Sequence, residues 1–463
     1  MNIEKPGHLE TESALPSYGV APELVANVLQ ALEAGRPKEV QEIAKGMHAA
    51  DIADLIDRLD PAPRQQFIEI VQRQISPDFL AHLEDPIKDE VLRQLDPKII
   101  AAAIARLDSD DAVYVLEDMD KLQLRAVLRA IPSQNRAMLE EVLTYPEDSA
   151  GRLMQREVVC VPTFWTTQET IDFIRESPEL PETFYNIYVV DPKHHPLGVV
   201  PLDTLLKKKS DIPISEIMNT SLRSVPVDMD QEEVARIFQH YGLVSSPVTD
   251  PSGRIVGMIT VDDIVNVIEE EAEEDIMHLA GVSESDFHAP ILKTSYLRAR
   301  WLIATLINTL IAATVISQFE RSIEEKVALS FLMVIVAAMG GNSGMQTVTV
   351  TVRALATKEL DISATGKAIL KELIVALFTS ATFALILGTI AAFWLDDISV
   401  GVVLGAALIC NMIWAGAAGT FLPILVQRWG MDPAISAGPL LTTTTDVLGY
   451  AIFLGFATYF LLA

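Results

Sequence analysis

The sequence predicts a multidomain membrane protein: an N-terminal α-helical superhelical domain, an α/β pair of repeated units, a connecting helix and a transmembrane domain of five helices. Three observations carry this. The last third of the 463 residues holds five long apolar stretches, and about 20 apolar residues suffice to cross the hydrocarbon. Residues 152–267 contain a unit that occurs twice. Residues 21–145 are short apolar-periodic stretches divided by Asp-Pro and Asp-Ser steps.

The first residues, 1–18, have no apolar core and no cleavage site, so they do not read as a signal peptide. They are polar and Glu- and Pro-containing, and a disordered segment is expected over 1–20. A helical domain follows over 21–150. Asp60-Pro61, Asp96-Pro97 and Asp108-Ser109 supply N-cap and first-turn chemistry. The stretches between them give only two to three turns each, too short to fold alone, so they must stack as helical hairpins. His48 and His82 stand apart in this sequence and read as structural residues.

The repeat is visible in spacing. Met154 and Met218 are 64 residues apart, as are Val161-Pro162 and Val225-Pro226. Val190-Asp191-Pro192 returns as Thr249-Asp250-Pro251, and Gly198-Val199-Val200 as Gly257-Met258-Ile259, both 59 apart, so the first copy carries about five extra residues near 178–183. Each copy, 151–211 and 212–266, reads as strand, helix, strand, turn, strand, helix. Over 262–285 a connecting helix is expected. Its apolar positions recur at helical spacing, and Glu271, Glu274, Asp275 and His278 share one acidic face.

The five spans run over 301–319, 327–352, 373–395, 398–426 and 433–463. Lys293, Arg298, Arg300, Arg353, Lys358, Lys367, Lys371 and Arg428 fall on one side, against Arg321 and Lys326 on the other. The positive-inside rule then puts residues 1–300 in the cytoplasm and Ala463 outside. The lipid bilayer is therefore an expected partner.

Residues 1–300 hold 28 basic and 53 acidic residues. Such a surface excludes nucleic acid as a partner, and it attracts cations. The two cysteines, Cys160 and Cys410, have no metal-type spacing and imply a reduced compartment. No nucleophile–base pair, P-loop or hydrolase motif is visible, so the chain is not expected to be an enzyme.

One charge lies inside the spans: Asp446, in Gly438-Pro-Leu-Leu-Thr-Thr-Thr-Thr-Asp446-Val-Leu-Gly449. A carboxylate there costs roughly 2.5–3.5 kcal/mol on insertion scales, and such groups face a bundle interior or a watery path. The Gly, Pro and threonines weaken regular helix and offer oxygens that suit a hard cation. The alternative is a buried Asp capping a broken helix.

Two resemblances follow from these residues. The repeated unit resembles a tandem pair of cystathionine-β-synthase (CBS) domains. That implies a regulatory cleft, with a nucleotide such as ATP as candidate ligand. Thr260 and Asp263 keep the family's ribose-holding pair, whereas Pro201 and Thr204 depart from it in the first copy. The whole chain resembles the MgtE-type magnesium transporter/channel family. The motifs are Gly340-Gly341-Asn342-Ser-Gly344-Met-Gln346, Arg353-Ala-Leu-Ala-Thr357, Asp432-Pro-Ala434 and Gly438 through Gly449. The resemblance implies a homodimer with one pore between its two copies, Mg²⁺ as both substrate and regulator, and closure when intracellular Mg²⁺ binds acidic interfaces. It implies pore roles for Asp446 and Asn342, with Thr442 and Thr443 beside them. It implies sensor roles for Asp230, Glu232, Asp263, Glu271, Glu274 and Asp275, and for Asp110 or Asp111. Gly242, Asn266 and Tyr114 stand where relatives can carry acids, which leaves the number of sensor ions open. The competing readings are a transporter of another divalent metal, such as Mn²⁺ or Co²⁺, and a membrane-anchored cation sensor.

Overall fold

The computed structural model describes residues 19–72, 76–117, 119–177, 180–181, 183–282, 291–358, 360 and 365–462. It divides into two units, Met1–Ile268 and Glu269–Ala463. Of the disorder expected over residues 1–20, residues 1–18 lie outside the described residues, as do the connecting segment beyond 282 and part of the extra stretch at 178–183.

The first unit begins with short helices: α1 (Pro22–Glu33), α2 (Pro37–Ala44), α3 (Ala49–Arg58), α4 (Pro61–Val71), a 3-10 turn (Pro77–His82), α5 (Asp85–Gln94), α6 (Pro97–Ile104), α7 (Ser109–Glu117), α8 (Lys121–Ala130) and α9 (Ser133–Val142). Proline is the first or second residue of α1, α2, α4, α5 and α6, where its missing N–H costs nothing. Asp96 and Asp120 cap α6 and α8 by accepting from Lys98 N and Leu122 N. The helices share one core around Leu55, Ile56, Phe67, Val91, Ile100 and Leu116. His48 and His82 are not isolated: their ring centroids lie 6.5 Å apart, because α3 packs on the 3-10 turn. Burial and the neighbouring His48 hold His82 below its ordinary range.

The repeated units follow: α10 (Ala150–Leu153), β1 (Cys160–Pro162), α11 (Thr167–Glu176), β2 (Asn186–Val190), β3 (Pro196–Pro201) and α12 (Leu202–Lys207), then α13 (Ile214–Ile217), β4 (Val225–Pro226), α14 (Gln231–Tyr241), β5 (Ser245–Thr249), β6 (Ile255–Thr260) and α15 (Val261–Ala280). Each copy forms a three-stranded sheet in chain order, with its first pair parallel and its second antiparallel. The leading segment of each copy crosses to the other copy's sheet. Gln155 bridges Met258, and Asn219 bridges Val199. A Cβ added at Gly257 would meet Met154 Sδ at 2.7 Å, and one at Gly198 would meet Met218 Sδ at 3.0 Å. The repeat spacing finds the two methionines but hides this exchange. Tyr188, fully buried on β2, hydrogen-bonds Ser245 of β5 at 2.7 Å, which also ties the copies together.

The second unit contains residues 269–280 of α15 and then α16 (Ile291–Ser317), α17 (Glu320–Glu325), α18 (Ala328–Ala356), α19 (Thr365–Leu395), α20 (Ile398–Arg428) and α21 (Pro433–Leu461). Among the described residues five helices are long and apolar enough to cross a membrane: α16, α18, α19, α20 and α21. Of these α20 is the most enclosed, with Val400, Leu404, Ala407, Leu408, Asn411 and Ala415 all buried. α16 leaves Leu302, Leu306, Ile307 and Leu310 exposed, a surface suited to lipid. α19 begins eight residues before the apolar stretch at 373, and so takes in Lys367, Lys371 and Glu372. Long charged side chains at a helix end reach back to the interface, which hides the true start in a hydropathy reading.

Candidate functional site

Four groups of predicted residues can be followed in the structure. In the first unit, Asp110 and Asp111 lie in the first turn of α7, and Asp263 lies in the first turn of α15. They face one another. Burial, then Asp263 and Asp111, push the Asp110 carboxyl well above its ordinary range. Burial, with Asp108 and Asp78, raises Asp111 to about 6. Burial, with Asp262 and Asp111, raises Asp263 to about 7, against a hydrogen bond from Thr260 Oγ1 at 2.8 Å that lowers it. Asp78, Asp108 and Asp262 thus belong to the same field. Asp108 and Asp262 adjoin Asp110 and Asp263 in the sequence, whereas Asp78, in the 3-10 turn, joins them only through folding. The acids do not converge into a ready coordination shell: among the described residues no group of three or more His, Cys, Asp or Glu is placed to hold a metal ion.

Asp230 and Glu232 lie elsewhere. Asp230 caps α14 by accepting from Glu232 N at 3.0 Å, and Glu232 pairs with Arg236 at 3.3 Å. Asp230 is close enough to Asp148 to raise that carboxyl, after burial and Glu147.

A pH dependence follows from the first group. Asp111, Asp263 and also Asp57, at about 7 through burial and Glu84, have folded pKa values above the ordinary 3.8. The folded chain therefore holds protons that the unfolded chain releases, so stability falls as pH rises through 6 to 7. With chelator present, the protein is expected to melt at a higher temperature at pH 5.5 than at pH 8. The gain is on the order of 1.4 kcal/mol, the equivalent of one pKa unit, and the lowered His82 works against it. A thermal melt followed by circular dichroism checks this, and a higher melting point at pH 8 would refute it.

In the second unit, the end of α15 packs against the start of α21. Asp432 caps α21, with one oxygen accepting from Ala434 N at 2.7 Å and the other 3.0 Å from His278 Nδ1. His278 Nε2 is 3.4 Å from Glu274. Burial and then Asp432 push the Asp275 carboxyl up. Asp432 stood in the sequence as part of a motif, and the structure adds it to the acids of the connecting helix. Glu271 lies one turn before them on the same helix. Leu279 packs on a cluster with Val348 and Val352 of α18 and Leu441 of α21.

Within α21 the segment around Asp446 differs from expectation. The helix is continuous from Pro433 to Leu461 with Pro439 inside it. The threonines explain part of this. Thr442 and Thr443 donate their hydroxyls to Gly438 O and Pro439 O at 3.1 and 2.6 Å, and Thr445 donates to Leu441 O at 3.0 Å. Asn308 of α16 donates to Pro439 O at 3.3 Å. The proline's loss of an N–H is absorbed by packing. The hydroxyl oxygens keep lone pairs for water or a cation. Asp446 is half-buried, and among the described residues it has no ion pair or hydrogen bond. Asn342 is exposed on α18. The glycines of the Gly340-Gly341-Asn342-Ser-Gly344 run serve packing within the chain: Gly344 receives the Leu441 side chain, and Gly340 receives Asn411.

A family described as "Divalent cation transporter" matches residues 333–456, one described as "MgtE intracellular N domain" matches 47–148, and one described as "CBS domain" matches 214–270. The chain is 32% identical over 441 residues to the magnesium transporter MgtE of Thermus thermophilus, covering 94% of this chain and 98% of that one. It is 28% identical over 440 residues to the magnesium transporter MgtE of Bacillus subtilis, covering 95% and 98%. Among solved structures it resembles the cytosolic domain of the Mg²⁺ channel MgtE in complex with ATP, at 31% identity, with 52% of this chain and 99% of that chain covered and a TM-score of 0.49.

Proposed function

The chain belongs to the MgtE family of divalent cation transporters, and from that premise we propose that it is a Mg²⁺ channel or transporter of the bacterial cytoplasmic membrane. It carries Mg²⁺ inward and closes when intracellular Mg²⁺ binds the acidic faces of residues 1–280. Its C-terminus lies outside, and it works as a homodimer with one ion path between the two copies. The observation that carries this reading is Asp446, a carboxylate inside a membrane helix with no partner among the described residues. An acid kept at that depth without a paired charge marks an ion path, and a passing cation supplies the missing charge.

Mg²⁺ dehydrates reluctantly and keeps several waters. A path for it should contact the hydrated ion. Two copies of Asp446, with the hydroxyl oxygens of Thr442 and Thr443 and the amide of Asn342, offer acceptors for those waters. Asp110, Asp111, Asp263, Glu271, Glu274 and Asp275, with Asp230 and Glu232, are the regulatory acids. The test is ion entry into liposomes containing the purified protein, with Mn²⁺, Co²⁺ and Ca²⁺ as competitors. Mg²⁺ entry that the others reduce only in excess supports the reading. Entry of Mn²⁺ or Co²⁺ that Mg²⁺ does not compete with would overturn it.

ATP is expected to bind weakly or not at all. Thr260 and Asp263 hydrogen-bond each other, but the first copy offers Pro201, which ends β3 just before α12, and Thr204 within α12. Calorimetric titration of the detergent-solubilised protein should give a Kd weaker than about 0.1 mM, or about −5.5 kcal/mol. Stoichiometric micromolar binding would contradict it.

A further inference from the structure

Asn411 lies in the middle of α20 and is 0% exposed. Its Nδ2 donates to Val336 O of α18 at 2.9 Å. Its Oδ1 is buried with no hydrogen-bond partner among the described residues. The backbone carbonyl requires a donor, which fixes the orientation of the amide. Two glycines make room for it. A Cβ at Gly449 of α21 would come to 2.7 Å from Nδ2, and one at Gly340 of α18 would come closer still. The amide is thus wedged between the backbones of α18 and α21, and neither backbone tolerates a side chain there.

Those glycines lie within the two motifs that bear the proposed pore residues. Gly340 precedes Asn342 by two residues, and Gly449 follows Asp446 by three. Two residues are about half a helical turn, so Asn342 points away from the amide, in keeping with its exposure. A buried acceptor left unpaired inside a membrane bundle is costly, and an apolar side chain of the same size avoids that cost. What leucine cannot do is bond Val336 O and so fix the rotation and spacing of α18. The same amide is the surface on which α21 rests at Gly449.

We propose that Asn411 is a positioning residue for ion permeation: its amide, held by Val336 O in the notch of Gly340 and Gly449, sets how α18 and α21 meet and so aligns Asn342 with Asp446. This rests on the transport reading above. Its test uses full-length protein in liposomes, with Mg²⁺ alone and with Ca²⁺ as competitor. Asn411→Leu is expected to lower Mg²⁺ flux about tenfold, the size of one good interhelical hydrogen bond. It should also raise the half-saturating Mg²⁺ concentration and reduce the preference for Mg²⁺ over Ca²⁺, while the melting temperature in detergent does not fall. Asn411→Ala cannot overpack and should move the same readouts, which covers failure of the leucine variant to fold. Gly340→Ala should nearly abolish flux by displacing the amide, and Asn411→Ala/Gly340→Ala should recover part of it, because the new methyl then has space. Unchanged half-saturation and ion preference in both Asn411 variants, or a double variant no better than Gly340→Ala, would overturn the assignment. Wild-type protein that carries no Mg²⁺ would instead sink the transport reading and this proposal with it.

Discussion

Replacing Asp446 by Asn is expected to reduce Mg²⁺ flux by about 100-fold while the protein still folds and assembles. The magnitude comes from what the carboxylate costs. Roughly 2.5–3.5 kcal/mol is needed to keep an acid at that depth, and attraction of that size for a cation corresponds to about two orders of magnitude in occupancy. Asn keeps the shape and one oxygen but removes the charge. Folding should not suffer, because Asp446 has no structural partner among the described residues to lose. A slightly higher melting temperature is the expected sign that an uncompensated charge has gone. Flux in liposomes and size-exclusion chromatography in detergent together decide this. Normal flux through a well-folded Asp446→Asn protein would remove Asp446 from the ion path.

The sequence carries this site unevenly. A single acid in a span is legible because apolar composition makes any charge stand out, and the five spans are legible for the same reason. The state of α21 was not legible. Gly438, Pro439 and four threonines argue locally for a break, yet the hydroxyls turn back onto carbonyls three and four residues earlier, and Asn308 meets the proline carbonyl from another helix. Tertiary partners decide that segment, and they are 131 residues away in the chain. The acids divide in the same way. The first turn of α15 and its last turns are read from one helical pattern, but Asp432 joins the latter only through folding. Asp110, Asp111 and Asp263 meet across about 150 residues of chain. Asp230 and Glu232, equally acidic in sequence, serve a helix cap and an ion pair with Arg236. Asn411 gave no signal, since a lone Asn in an apolar helix shows neither its carbonyl partner nor the glycines that admit it.

On the proposed closure by intracellular Mg²⁺, the double change Glu271→Ala/Glu274→Ala should keep the channel conducting at Mg²⁺ concentrations that close the wild type. Closure by Mg²⁺ requires that the ion bind the closed form more tightly. Moving a population from 1:99 to 99:1 takes about 5.5 kcal/mol of differential affinity. Several weak ions can supply that jointly. Near α21 the acids stand close: Glu274 and Asp432 both reach His278, and Asp432 raises Asp275. Neutralising acids there has two opposed effects. It removes oxygen ligands, which favours the open form at a given Mg²⁺ concentration. It also removes the mutual repulsion that holds the ion-free form apart, which favours closure. Ligand loss should dominate, because a divalent ion needs oxygens and not merely a lower charge. His278 and Asp432 remain to hold the end of α15 against α21, so the variant should still fold. The measurement is flux against internal Mg²⁺, paired with the protection from protease that Mg²⁺ is expected to give residues 1–280. A shift of the closing concentration upward by about tenfold or more, with weaker protection, corresponds to losing about 1.4 kcal/mol of that differential affinity. Closure at a lower Mg²⁺ concentration would mean that repulsion is the larger effect and that Glu271 and Glu274 do not bind the regulatory ion.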